Sequence, residues 1–196
     1  MNNESIRIGV VGELGVGKPE LVHQLCHPNS HTAGSVSDLA GPTVDVLDFE
    51  RTNGRGNIWI EFVVLPSGTR HQKSRQMLYS FGLDALFLVC SCSTPRSFIR
   101  ATEWIEEAIN AENILSVPVA LILGGPQRID WQLSTTLTKL VEPLAERCNA
   151  EILDLSGYIT SGALEPKQRC SLAEFYEKVY RSKVSKGCGL GISHLR

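Results

Sequence analysis

A glycine-rich loop between an apolar run and a helical segment restricts this chain to few folds. Residues 12–18 read Gly-Glu-Leu-Gly-Val-Gly-Lys and fit the pattern G-x-x-x-x-G-K. The apolar run 6–11 precedes the loop, and the stretch 19–26 after it has helical spacing. In such a context the loop N–H groups and the helix N-terminus point at phosphate oxygens. The candidate phosphate-binding residues are Gly12, Gly15, Val16, Gly17, Lys18 and Pro19.

Pro19 departs from the pattern, which has Ser or Thr at this position. A proline offers neither a hydroxyl for magnesium nor a backbone N–H for phosphate. The first turn of a helix tolerates proline, so Pro19 is compatible with the predicted helix. Two interpretations stay open: weak phosphate binding, or a glycine turn kept only to pack the strand against the helix.

Short apolar runs and helical segments alternate along the rest of the chain. We predict strands at 6–11, 43–49, 57–65, 85–92, 117–123 and 151–155, and helices at 19–26, 70–81, 97–111, 134–148 and 172–183. Asn53-Gly54 predicts a tight turn between the second and third strands. The fold class is therefore α/β, a six-stranded mostly parallel sheet with one antiparallel edge strand and helices on both faces. We expect one domain at 1–183 and a glycine-containing tail at 184–196.

Composition excludes some classes of function. The 196 residues fit one domain, and a net charge of -2 argues against broad binding of nucleic acid. We find no secretory signal, no apolar run long enough to span a bilayer and no C-terminal C-a-a-X box. We expect a cytoplasmic protein with no membrane insertion and no prenyl anchor. Its tail is either a docking segment or a frayed terminus.

One stretch resembles a known family. Residues 6–26, IRIGVVGELGVGKPELVHQLC, are similar to the Rab-like branch of the Ras superfamily, and Leu-Val-His with Leu-Cys is most like the third Rab-like type. Val44-Asp45-Val46 and the segments 60–62, 79–89 and 118–123 look similar too. The resemblance implies a small-GTPase (P-loop NTPase) fold, and with it binding of GTP or GDP with magnesium.

The magnesium ligands of that family are missing. Small GTPases carry Asp-x-x-Gly after the third strand, whereas this chain has Leu65 in place of the Asp, and only Gly68 keeps the turn. The first switch of the family supplies a Thr, but the natural register puts Leu39 there. Thr43 supplies this magnesium ligand only if the loop shifts its register.

The guanine-binding residues are missing as well. The family has Asn-Lys-x-Asp after the fifth strand, where this chain reads Gly124 to Gln127 as Gly-Gly-Pro-Gln, and Asp130 comes three residues late. Losing two charge-assisted hydrogen bonds removes about 3 to 6 kcal/mol. Of the family's Ser-Ala-Lys after the last strand, only Ser156 agrees.

These departures predict a Rab-like pseudo-GTPase, which acts as a protein-interaction module in a larger assembly. We expect no catalytic residue and no cofactor. The alternative is a small GTPase that still binds GTP or GDP with magnesium and acts as a weak switch. The family resemblance suggests a trafficking or ciliary context by analogy only.

Two groups of cysteine or histidine residues are candidates for a metal site, and the sequence favours neither. Cys90 and Cys92 share one face of a strand, but no second ligand pair follows, so we expect reduced, buried thiols. His23, His27 and His31 recur every four residues, yet Pro28 ends the helix and the sequence shows no acidic partner. We expect no metal site.

Overall fold

The computed structural model describes residues 4–28, 41–51, 56–111 and 117–189. Six strands in this part form one sheet: β1 (Ser5–Gly12), β2 (Thr43–Glu50), β3 (Asn57–Val64), β4 (Ala85–Ser91), β5 (Val119–Gly124) and β6 (Ala150–Asp154). Their order is β2-β3-β1-β4-β5-β6, with β2 and β3 antiparallel and the other neighbours parallel. The predicted α/β class and the mostly parallel sheet with one antiparallel edge strand are confirmed.

Helices connect the strands. In the described ranges they are α1 (Lys18–Cys26), α2 (Gln72–Ser80), α3 (Arg96–Asn110), α4 (Thr135–Cys148), α5 (Tyr158–Ser161) and α6 (Pro166–Gly189), with a 3-10 turn at Thr69–His71 before α2. None of these helices combines the length and the apolar character needed to cross a membrane.

The last two helices differ from the sequence prediction. α6 begins at Pro166 instead of Leu172 and continues to Gly189, past the expected end at Lys183. Proline is well placed in a first turn because its missing N–H would have no helical partner there. The segment 184–189, expected as tail, is therefore helical, and 190–196 lies outside the described residues. The one-turn helix α5 was not predicted, since four residues are too few to show a period.

The sheet buries both of its faces. β4 is buried along its whole length, as its apolar run predicts. Successive strand residues point to opposite faces, so Phe87 packs with α1 and α6, whereas Leu88 packs with α3 and α4. The ring centroids of Phe87 and Phe175 on α6 lie 5.6 Å apart. Helices on both faces are thus confirmed, and the loops after the parallel strands meet at their carboxyl ends.

Candidate functional site

The glycine loop joins β1 to α1 in the predicted manner. Gly12 has φ 152°, and a Cβ there would stand 2.3 Å from the carbonyl oxygen of Val89 on β4. Only glycine permits this close approach. Gly15 and Gly17 have φ 79° and 85°, and Gly17 is the N-cap of α1. The loop therefore keeps the backbone of a strand-to-helix turn whose helix N-terminus faces the carboxyl ends of the strands.

Lys18 is held by oxygens of the chain itself. The residue has no exposed surface, and its Nζ donates to the carbonyl oxygens of Gly12 and Glu13, each at 3.1 Å. Nζ also donates to the hydroxyl of Ser67 at 2.5 Å, and this hydroxyl donates to Gly12 O at 3.0 Å. Among the described residues, at least three oxygens thus accept from this ammonium, which has three N–H groups. In a nucleotide-binding loop such a lysine donates to phosphate oxygens.

The segment after β3 is fixed from its other side by Arg75. The Arg75 guanidinium donates to Pro66 O at 2.8 Å and to Gly68 O at 2.7 Å, and it pairs with both carboxylate oxygens of Glu107 at 2.7 Å. The side chains of Arg75 and Glu107 are 4% and 12% exposed. The guanidinium carbon also lies 4.7 Å from the ring centroid of Trp104. Segment 66–68 is therefore connected to α3 by buried, charge-assisted hydrogen bonds.

The described residues at the predicted magnesium positions lie in the core, in the sheet or at the start of α1. Leu65 is fully buried in the apolar layer beneath α3 and α4. Thr43 is the first residue of β2 and pairs with Val64, so it belongs to the sheet rather than to a loop. Pro19 is buried at the start of α1. Leu39 lies outside the described residues.

The two loops that would bind guanine close on each other. Gly157 N–H donates to Gly125 O at 3.0 Å, and the Thr160 hydroxyl donates to Pro126 O at 2.5 Å. A Cβ on Gly157 would stand 3.2 Å from the backbone nitrogen of Arg128, which shows how closely the chains approach. These direct bonds occupy backbone groups of both loops.

The individual base positions have other partners. Gly124 ends β5, and Gln127 is exposed. The buried Ser156 donates to Asp154 Oδ1 at 2.7 Å and accepts from Ile129 N at 3.4 Å. Asp130 comes three residues later than the Asp of the Asn-Lys-x-Asp motif. Its carboxylate accepts a hydrogen bond from Gln132 N at 3.1 Å and so closes a local turn.

A cavity of about 440 Å³ lies beside these loops, at the β6 edge of the sheet. It is bounded by Arg128, Trp131, Asp154, Glu165 and Lys167 among others. Arg128 and Glu165 form an ion pair at its rim. Its lining in the described part of the chain includes no residue of the glycine loop, so it does not continue the phosphate site.

The cysteine expectation is largely confirmed. Cys90 and Cys92 are buried thiols, and burial raises the pKa of Cys92 to about 11 and that of Cys90 further. Within the described residues they belong to no group of ligand atoms close enough to hold a metal. Cys170 differs, because it is exposed on α6.

The histidine expectation is wrong in one respect. Asp45 of β2 is an acidic partner for both His23 and His27, whereas His31 lies outside the described residues. The residues are about 20 positions apart in sequence, and only the contact between α1 and β2 brings them together. The alternation of Asp45 with Leu47 and Phe49 was the available signal, since these two apolar residues pack against the core on the α1 side of the sheet.

Two comparisons with known proteins gave no match. No protein-family profile matches the chain, and a search of curated proteins finds no significant match.

Proposed function

We propose that this chain is a Rab-like pseudo-GTPase that works as a protein-interaction module in a larger assembly. The fold supplies the surface for a partner. No GTP cycle is needed for this role.

The contact between Lys18 and Ser67 carries this proposal. A switch protein needs a lysine that exchanges its partners for phosphate and a following segment that moves when phosphate leaves. Here the lysine donates to the segment itself, and Arg75 holds the same segment through Pro66 and Gly68. These bonds connect the segment to both α1 and α2.

The surrounding positions support the same interpretation. Leu65 offers no magnesium ligand, and the loops at Gly125 and Gly157 bond to each other. A phosphate bound by Lys18 would have to replace its bonds to Gly12, Glu13 and Ser67, and the guanine-binding carboxylate of the small GTPases is missing from the sequence. Each broken buried hydrogen bond costs about 1 to 3 kcal/mol.

The outer face of the β2 and β3 pair is the surface we assign to the partner. Val44, Val46 and Trp59 are 63%, 39% and 46% exposed. Phe81, at the end of α2, is 64% exposed. The guanidinium of Arg7 connects it to this face, because it donates to Phe81 O at 3.2 Å and also to the carboxylate of Glu61 on β3. We call these four apolar residues, Val44, Val46, Trp59 and Phe81, the sheet patch. Large exposed apolar groups in one area are typical of protein interfaces, and tryptophan is enriched at their centres.

The chemistry of the partner follows from the same strand. Val44, Val46, Asp48 and Glu50 alternate on the exposed side of β2, so the strand is apolar at one end and acidic at the other. A partner with an apolar centre and basic groups at its rim would match this face in shape and charge.

The nucleotide content of the purified chain tests the central claim. The protein is purified with magnesium, denatured, and its supernatant is chromatographed for guanine nucleotides. We expect no stoichiometric GTP or GDP, because the base and magnesium ligands are absent. One equivalent of either nucleotide would overturn the proposal.

The sheet patch is tested separately with matched variants. Proximity labelling in cells compares the wild type with Trp59→Ala and Val46→Asp, and with Ile99→Ala and Leu133→Ala, which change exposed apolar residues outside the patch. Partners that belong to this interface should be lost with the first pair of variants and kept with the second. Equal labelling by all variants would show that the sheet patch is not the interface. If a second copy of the chain occupies the patch, light scattering would show it as a dimer.

One observation favours the alternative, a weak GTP or GDP switch. Gly15 and Gly17 keep left-handed backbone, and α1 starts directly after them. The shape of a phosphate loop is thus retained. Calorimetric titration with magnesium and GTP separates the two functions, because the alternative requires saturable binding that Lys18→Ala abolishes.

A further inference from the structure

We propose that His23, His27 and Asp45 form a binding site for a zinc-class transition-metal ion, which links the end of α1 to the edge strand β2. This site is independent of the proposed interaction function. It lies at the opposite end of α1 from the glycine loop.

The helix brings the two imidazoles together. His23 is in the last turn of α1, and His27 is the residue that caps it. Positions four apart share one side of a helix. The ring centroids lie 4.9 Å apart with the planes tilted by 46°, so both rings occupy the same side of the helix end. Two histidines at this spacing are a common element of zinc sites.

The sheet supplies the carboxylate. His27 Nε2 is 3.1 Å from Asp45 Oδ1, and His23 Nδ1 is 3.8 Å from Asp45 Oδ2. The three ligand atoms all lie within 4.8 Å of one another. Zinc bonds of about 2.0 to 2.2 Å in a tetrahedral arrangement separate ligand atoms by about 3.3 to 3.6 Å. Small side-chain rotations would therefore bring the three groups to one ion.

Neighbouring groups orient the ligands. The backbone N–H of Val46 donates to Asp45 Oδ1 at 3.2 Å and so fixes the carboxylate. The Nε2 atom of His23 is buried and has no hydrogen-bond partner among the described residues, while Nδ1 faces Asp45. Nδ1 is thus the nitrogen available to an ion. The contact from Val46 N is of the kind that orients a ligating carboxylate in metal centres.

The donor set selects the kind of metal. Two imidazoles and one carboxylate suit zinc and its neighbours in the first transition row, whereas calcium and magnesium need sets of oxygen ligands. The side chains of His23, His27 and Asp45 are 30%, 48% and 30% exposed. An ion therefore has access from solvent, and a water molecule would complete its coordination. Cys26 packs against the apolar core and is not part of this group.

The test is calorimetric titration of the full, tag-free chain with Zn²⁺ after removal of bound metal and in a metal-compatible reductant. We expect one equivalent to bind and the midpoint of thermal unfolding to rise with zinc concentration. His27→Gln and Asp45→Asn should each weaken binding by at least about tenfold. His71→Gln changes a histidine outside the cluster and should bind zinc like the wild type.

Two further measurements keep the result interpretable. Unfolding in EDTA shows whether each variant is folded, so that weak binding is not confused with misfolding. Co²⁺ in place of zinc should give ligand-field absorption without a thiolate charge-transfer band. Absence of zinc binding by the wild type, unchanged binding by both variants, or a thiolate band would overturn the proposal.

Discussion

Lys18 donates a 2.5 Å hydrogen bond to the hydroxyl of Ser67, which stands 49 positions later in the chain. The same hydroxyl donates back to Gly12 O, so one serine connects the glycine loop to the segment after β3. Because the ammonium is fully buried, this contact is protected from water, and a hydrogen bond to a charged group contributes about 1.5 to 3 kcal/mol.

Ser67→Ala should therefore lower the free energy of unfolding by about 1.5 to 3 kcal/mol, because the buried ammonium loses an acceptor. Urea unfolding followed by circular dichroism measures the change. Ser74→Ala, at an exposed position of α2, is the control and should stay within about 0.5 kcal/mol of the wild type. Equal stability of the two variants would contradict the role given to Ser67.

Glu107→Gln should destabilise the protein strongly, whereas Glu106→Gln should not. Both residues lie on α3 and pair with an arginine, but Arg75 with Glu107 is buried and Arg147 with Glu106 is 56% exposed on both sides. Leaving a buried guanidinium without its counter-charge costs about 3 to 5 kcal/mol, while an exposed pair contributes less than about 1 kcal/mol. Denaturant titration gives both values.

Hydrogen exchange provides a second readout of the same pair. The amides of Ser67 and Gly68 should exchange faster in Glu107→Gln, because the guanidinium that holds this segment is no longer fixed. Similar exchange in Glu106→Gln and Glu107→Gln would show that Arg75 does not restrain the segment.

Pro19→Thr should leave magnesium-nucleotide binding unchanged to within tenfold, about 1.4 kcal/mol. The substitution restores a hydroxyl and an N–H, but Leu65 and the paired Thr43 still supply no further ligand. Pro19→Val, which has the shape of threonine without the hydroxyl, is the matched control. Titration calorimetry with GTP and magnesium decides the matter, and a gain beyond tenfold for threonine alone would show that the pocket is still open.

Stability should fall as the pH rises above about 9. Burial raises the pKa of Cys92 from 9.0 to about 11 and that of Tyr158 from 10.0 to about 12. The unfolded chain then releases these protons at lower pH than the folded chain does, so their contribution is complete below pH 9 and disappears up to about pH 12. Urea titrations under reducing conditions between pH 8 and 11 measure it. Cys92→Ala should reduce the slope, and a flat profile would contradict the prediction.

Local sequence patterns were sufficient for the architecture. The apolar run at β4 predicted a buried strand, and the six-stranded sheet with helices on both faces is confirmed. The predicted turn at Asn53-Gly54 lies outside the described residues. The glycine loop was also predictable from its G-x-x-x-x-G-K spacing between an apolar run and a helical segment. Hydrophobic periodicity and glycine spacing act over a few residues, and such patterns can be interpreted without tertiary contacts.

Tertiary structure alone decided how the polar groups pair. Asp45 meets His23 and His27, Ser67 meets Lys18, and Glu107 meets Arg75 only because separate elements pack in one register. The sequence showed that Leu65 and Pro19 depart from the nucleotide-binding pattern, but not that Lys18 of the glycine loop bonds to Ser67. Hydrogen bonds depend on distances of a few tenths of an ångström, and these are set by the packing of the whole sheet rather than by any local pattern.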